Sequence, residues 1–178
     1  MTPEEFLLAH HADRVGHPGG TLYDHLGRVA RTLADWGAGE DVRLAGLCHA
    51  AYGTDGFDHV LLPVDDRKSL REVIGEPAES LVYLYAACDR RSVYPRLDGT
   101  TPVDFTDRFT QEFVTVEEPQ LRAFLEITAA NELDVLARQP VMLAQYAPSL
   151  LAMFSRCREL LSPAAWTDTE ALLSPAPE

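Results

Sequence analysis

Apolar side chains recur at three- and four-residue steps along almost the whole chain, the spacing of helices that bury one face. Pro3-Glu4-Glu5 opens a first helix with proline in its first turn and acids at the positive end of its dipole; the pattern carries it to about Arg14. His17-Pro18-Gly19-Gly20 reads as a turn. Thr21 then has the position of an N-cap, with Asp24 in the capping-box position. Leu22, Leu26, Val29, Ala30 and Leu33 define the inner face of a second helix ending at Trp36-Gly37. A third starts at Gly39-Glu40-Asp41 and is apolar nearly all round through Cys48, which predicts a buried helix closing at His49.

The run from Tyr52 to Pro63 has Gly, Asp and Pro punctuation and no helical period, so a loop is expected there, lying across the end of the third helix. Helices are expected over 66–74 and from Pro77 to about Arg91, separated by Gly75-Glu76-Pro77. Pro95, Gly99 and Pro102 interrupt the next stretch, and the β-branched and aromatic residues after Asp104 predict a small hairpin, 105–109 with 112–116. A long helix over 117–138, another over 140–161 kinked at Pro148, and a last one over 163–173 complete the pattern before an irregular tail, 174–178. The fold class expected is all-α, a helical bundle with one small β-hairpin, forming one domain over 1–178.

Composition narrows the class of protein more than its chemistry. The 178 residues are 46% hydrophobic and 24% charged, ordinary proportions for a chain that buries a core. The net charge of -13 disfavours nucleic acid or an anionic membrane as principal partner. No run of apolar residues is long enough to cross a bilayer, and the first ten residues do not read as a secretory signal. Three scattered cysteines without C-x-x-C spacing fit a reducing compartment, so a cytoplasmic protein is expected. The apolar faces of the helices 117–138 and 140–161 would also suit a homodimer.

Of six histidines, two have unusual company. His25 lies inside the second helix in LYDHLGRVA, and His49 closes the third in LAGLCHAAYGT. A histidine on an apolar helix is more often a hydrogen-bonded core residue than a ligand. Asn131, within the apolar part of the long helix, needs several hydrogen bonds or a ligand if buried. Cys48 adjoins His49, but neighbouring helical residues do not face each other, which excludes a Cys–His nucleophile there. The chain has no G-x-S-x-G elbow and no P-loop.

The blocks TLYDHLGRVARTLADWGA, LAGLCHAAYG and ITAANELDVL, spanning about 15–138, together resemble the HD-domain superfamily of all-helical, metal-dependent phosphohydrolases. The D-H-L and H-x-x-Y-G-T motifs resemble a bacterial branch of HD-like proteins. The resemblance aligns His25 with the first ligand histidine, His49 with the histidine of the His-Asp pair, and Asn131 with the final acidic ligand. Two departures stand out: Ala50 occupies the place of the paired aspartate, and Asn131 offers a neutral oxygen. A dinuclear site normally needs bridging carboxylates, so the residues present favour at most one divalent ion, Fe, Mn, Co or Zn.

The resemblance and the residues together imply a small-molecule enzyme with a central pocket of His25, His49, Asn131 and Tyr52. In a metal-dependent hydrolase, Asp24 or Asp89 would assist proton transfer; Asp55, His17 and His59 are further candidate donors or orienting groups. In a metal-independent lyase, isomerase or cyclase, His25 or His49 would be the acid or base, with Tyr52 and Asn131 polarising the substrate. An iron oxygenase and a non-catalytic ligand-binding or interaction module are the remaining alternatives.

Overall fold

The computed structural model describes residues 1–57 and 59–175. Among them the chain forms nine α-helices and two small antiparallel ladders. In order these are α1 (Pro3–Ala9), β1 (Gly16–His17), β2 (Gly20–Thr21), α2 (Leu22–Asp35), α3 (Glu40–Cys48), α4 (Arg67–Ile74) and α5 (Glu76–Ala87). They continue with α6 (Arg90–Val93), β3 (Val103–Thr106), β4 (Phe113–Val116), α7 (Glu118–Leu136), α8 (Pro140–Arg156) and α9 (Pro163–Leu173). The mostly helical architecture and the small hairpin match the hydrophobic pattern. No helix of the described residues is long and apolar enough to cross a membrane.

Most differences from the expected boundaries have local causes. The first helix stops at Ala9 because His11 takes a left-handed conformation (φ 62°), after which Ala12–Arg14 forms a 3₁₀ turn. The 17–20 turn closes a two-residue ladder, Gly16 opposite Thr21 and His17 opposite Gly20. The expected helix over 77–91 breaks at Cys88, which is extended and bridges Asp107, and Asp89 then caps the short α6. The hairpin lies a little earlier, with Val103 opposite Val116 and Thr106 opposite Phe113. α8 continues through Pro148 but ends at Arg156, not at 161. The loop after α3 returns across its end, where Ala51 C=O accepts from the N–H groups of both Leu61 and Leu62 at 3.0 and 2.9 Å. Of the expected tail, residues 176–178 lie outside the described residues.

The helix α2 shows why this sequence folds as it does. Thr21 Oγ1 accepts from Asp24 N–H at 3.1 Å, and the Asp24 carboxylate accepts from Thr21 N–H at 3.0 Å, the reciprocal cap expected from the sequence. Leu22, Leu26, Val29 and Leu33 are fully buried along one stripe, which packs on α3 and α7. Gly46 permits the close approach of α3, since a Cβ there would overlap Leu33 Cδ1. α7 is the central helix: nearly every residue from Leu121 to Leu136 is buried, in one core cluster that extends from Phe6 to Leu173.

A buried ion pair locks α4, α5 and the end of α3 together. Glu79 on α5 is completely inaccessible, and its carboxylate accepts from Arg67 Nε at 2.6 Å and Nη2 at 2.8 Å, from Arg71 Nη2 at 3.3 Å and from Tyr52 Oη at 2.9 Å. The Arg67 guanidinium also stacks 3.9 Å over the Tyr83 ring. Removing the carboxylate strands a buried hydroxyl and two half-exposed cations. Glu79→Ala is therefore expected to lower unfolding free energy by about 2–4 kcal/mol, and Tyr52→Phe by about 1 kcal/mol, as read by urea denaturation.

Candidate functional site

The antiparallel helices α2 and α3 bring His25 and His49 together. Each lies twelve residues from Gly37, one before the turn and one after, so equal helical rise puts them at one height. Both rings are buried, 1% and 2% exposed, with their Nε2 atoms 3.4 Å apart. Asn131 reaches them from α7, its Oδ1 at 3.1 Å from each Nε2.

The outer partners define what these three atoms carry. His25 Nδ1 is 2.7 Å from a carboxylate oxygen of Asp134, and His49 Nδ1 is 2.7 Å from the carbonyl oxygen of Gly46. Both partners only accept, so each Nδ1 carries a proton, the tautomer in which Nε2 presents its lone pair inward. Asn131 Nδ2–H donates to Glu132 Oε1 at 3.3 Å, which turns the amide oxygen toward the histidines. Three acceptors thus converge on one point with no donor among them.

That donor set fits a divalent ion. Two ligand atoms of a tetrahedral zinc site lie about 3.3 Å apart, close to all three edges of the triangle here. Among the described residues no three His, Cys, Asp or Glu side chains form a group able to hold a metal ion; the third donor is an amide oxygen. Three neutral donors leave the ion's charge uncompensated, which favours borderline metals such as Zn²⁺, Fe²⁺ and Co²⁺ over Mg²⁺.

Asp134, one helical turn beyond Asn131, was not singled out from the sequence. It accepts from His25 and from Arg28 Nη2 (2.9 Å) on one oxygen, and from Arg28 Nε (2.7 Å) and Arg138 Nη1 (2.8 Å) on the other. Burial alone would raise its pKa, but the bonds from His25 and Arg28 outweigh this and hold it below the usual carboxylate range. The readable signal was an acid three residues from Asn131, which helical geometry puts on the same face. Arg28 also donates to Pro18 C=O at 3.1 Å and so anchors the 17–20 turn. That turn stacks the His17 ring on His25, with centroids 4.0 Å apart. His17 Nδ1 is buried without a hydrogen-bond partner.

A cavity of about 480 Å³ opens beside the cluster. Its lining includes His17, His25, His49 and Asn131 together with Asp55, Arg90, Tyr94 and Glu132, with Phe57, Met142 and Tyr146 among the apolar walls. Arg90 connects to the histidines through Tyr85: it donates to Tyr85 Oη at 2.9 Å, and the Tyr85 ring meets His49 edge-on at 5.1 Å.

Other expected site residues lie elsewhere. Tyr52 does not line the cavity, because its hydroxyl is committed to Glu79. Asp24 is the exposed third residue of α2, whose carboxylate closes the capping box with Thr21 and is held below its ordinary pKa mainly by the Thr21 N–H. Asp89 caps α6, accepting from Ser92 N–H at 3.0 Å. His59 is exposed and outside the cavity lining. Of the further donors considered, His17 and Asp55 are at the cavity.

With fold and site described, the helical scaffold and its His–His–Asn centre can be compared with known proteins. Residues 6–90, a little under half of the chain, match the family model of a domain of unknown function, DUF6817. The match contains His17, His25, His49, Asp55 and Arg90 and stops before the α7 residues. No curated protein and no solved structure matches the chain.

The histidines also govern acid stability. Burial, reinforced by the neighbouring His25, lowers His49 to about 3 and His17 to about 4 from the ordinary histidine value of 6.5. Both stay neutral in the folded state but bind protons when unfolded, so stability is complete above about pH 6.5 and falls as pH drops toward 4. Asp134 adds to the loss below its unfolded value of 3.8, where only the unfolded carboxyl takes up protons. In chelator-treated protein, urea titrations from pH 8 to 4 should show this decline. His49 should contribute at most about 1.4 kcal/mol per pH unit, and His49→Gln should make the slope shallower. A flat profile between pH 6.5 and 5 would contradict neutral buried rings.

Proposed function

We propose that the protein is a small-molecule hydrolase on an HD-like scaffold, with one divalent transition-metal ion held by His25, His49 and Asn131. The observation that supports this most directly is the convergence of three lone-pair acceptors at 3.1–3.4 Å with both Nδ1 protons committed outward. Such an ion supplies a water molecule whose pKa is lowered toward neutrality.

The chain's own residues do the rest. Asp134 orients the His25 ring and strengthens its Nε2 as a donor to a metal, the usual part of a carboxylate behind a ligand histidine. The Gly46 carbonyl does the same for His49. Glu132 keeps the Asn131 oxygen facing inward. His17 covers the outer face of His25 and, with Phe57 and Leu22, limits access of bulk water to the cluster. The cavity takes the place of the Tyr52-containing pocket expected from the sequence and is large enough for a small-molecule ligand.

The test is metal content, on protein purified without chelator and again after reconstitution with Zn²⁺, Fe²⁺, Co²⁺ and Mn²⁺. Near-stoichiometric binding of at least one ion is expected, lost in His25→Ala and His49→Ala. Asp134→Asn should weaken affinity roughly 10- to 100-fold. The absorption spectrum of a Co²⁺-loaded sample should show nitrogen ligation that disappears in the histidine variants. Failure of every ion to bind the wild-type protein would overturn the metal reading and leave neutral His49 as an acid–base group.

A further inference from the structure

The charged part of the cavity lining has its own chemistry. Its single cation, Arg90, is already engaged: Nη1 donates to Glu132 at 3.3 Å, Nη2 to Tyr85 Oη at 2.9 Å, and its backbone N–H to Asp55 Oδ2 at 2.9 Å. The guanidinium is 20% exposed and lies 5.9 Å from the Tyr94 ring centroid. Against this one positive charge stand two carboxylates, Asp55 and Glu132, which both line the cavity. Each uses one oxygen in the bonds just given. Among the described residues no hydrogen bond uses the other, Asp55 Oδ1 or Glu132 Oε2.

A third group in this part of the lining is also unsatisfied. Tyr94 lines the cavity, and its Oη is buried with no hydrogen-bond partner. A buried hydroxyl without a partner costs free energy unless a ligand or water supplies one. This wall therefore offers two carboxylate acceptors and one hydroxyl, and carries a net charge of about -1 in a protein of net charge -13. An incoming phosphate or carboxylate would meet two anions and an arginine already neutralised. A hydroxyl or amino group suits the same wall, since it donates to a carboxylate and, when neutral, accepts from Tyr94.

We propose that the Asp55–Arg90–Tyr94–Glu132 wall selects an uncharged or cationic ligand that presents hydroxyl or amino groups, and disfavours phosphorylated or carboxylated ones. The inference rests on the cavity being the ligand site of the proposed function but does not depend on a metal being bound. It assigns the polarity of the ligand groups that meet this wall. The Arg90 guanidinium acts here as the counter-ion of Glu132, and its backbone N–H holds Asp55 in place.

The test is a ligand-observed NMR screen on the full chain, run both metal-replete and after chelation. The panel pairs glucose with glucose 6-phosphate, adenosine with AMP, ethanolamine with phosphoethanolamine, and 1,3-diaminopropane with malonate. The unphosphorylated or amino members are expected to give the stronger signals in both preparations, with the preference at least tenfold in Kd for the best pair. Asp55→Asn, which touches none of the three inner donors, should weaken that ligand roughly tenfold through loss of a charged acceptor. Glu132→Gln should release Arg90 and narrow or reverse the preference toward the anionic member. Stronger binding of the anionic members to the metal-free wild type, indifference of the preferred ligand to both substitutions, or absence of binding across the panel would overturn the proposal. Elemental analysis fails or succeeds independently of this selectivity, so the two readings are separable.

Discussion

The short hydrogen bond between His25 and Asp134 is the contact on which the centre of this molecule depends. It joins α2 to α7 across the core, and it places a proton on His25 Nδ1 and so a lone pair on Nε2. An ionised carboxylate in that position would be costly without compensation. Arg28 supplies two donors and Arg138 a third, each from the solvent side, so the carboxylate is fully bonded though nearly inaccessible. Arg28 also reaches Pro18, which means that the same ion pair sets both the tautomer of His25 and the turn that stacks His17 upon it.

Much of this scaffold was legible in the sequence because local rules dictate it. The Thr21–Asp24 cap starts α2, the Leu22–Leu26–Val29–Leu33 stripe defines its buried face, and the glycine-containing turn at 37 returns the chain as α3. The equal distance of His25 and His49 from that turn brings them to one height on antiparallel helices. The spacing held the information, and the helical rise makes it usable.

What was not legible depended on distant partners. Tyr52 follows His49 by three residues, but its direction is set by Glu79, 27 residues away, whose own burial is made possible by Arg67 and Arg71. No periodicity announces such a pair: an acid within EPAESLVYLYAA reads as an ordinary helix-start residue. Asp24 and Asp89 look like acids beside a site, yet both satisfy helix N-termini, the commoner use of aspartate at those positions. Asp134 was passed over because Asn131 took the ligand position by resemblance, although the two lie three residues apart on one face of α7. The helix–strand boundary at Cys88 likewise depends on its bridge to Asp107, a contact between segments nineteen residues apart.

Charge balance explains why a neutral oxygen suits position 131. Around the three inner donors, Arg28 and Arg138 are paired with Asp134, and Arg90 with Glu132. Among the described residues no further cation is paired at this end of α7 to offset another buried carboxylate. An aspartate at 131 would face Glu132 next to it and Asp134 one turn on, and would lose the amide N–H that now donates to Glu132. The amide therefore fixes its own orientation through Glu132 while avoiding a third uncompensated anion on the helix. Its cost would be weaker neutralisation of any divalent ion that the histidines were to hold.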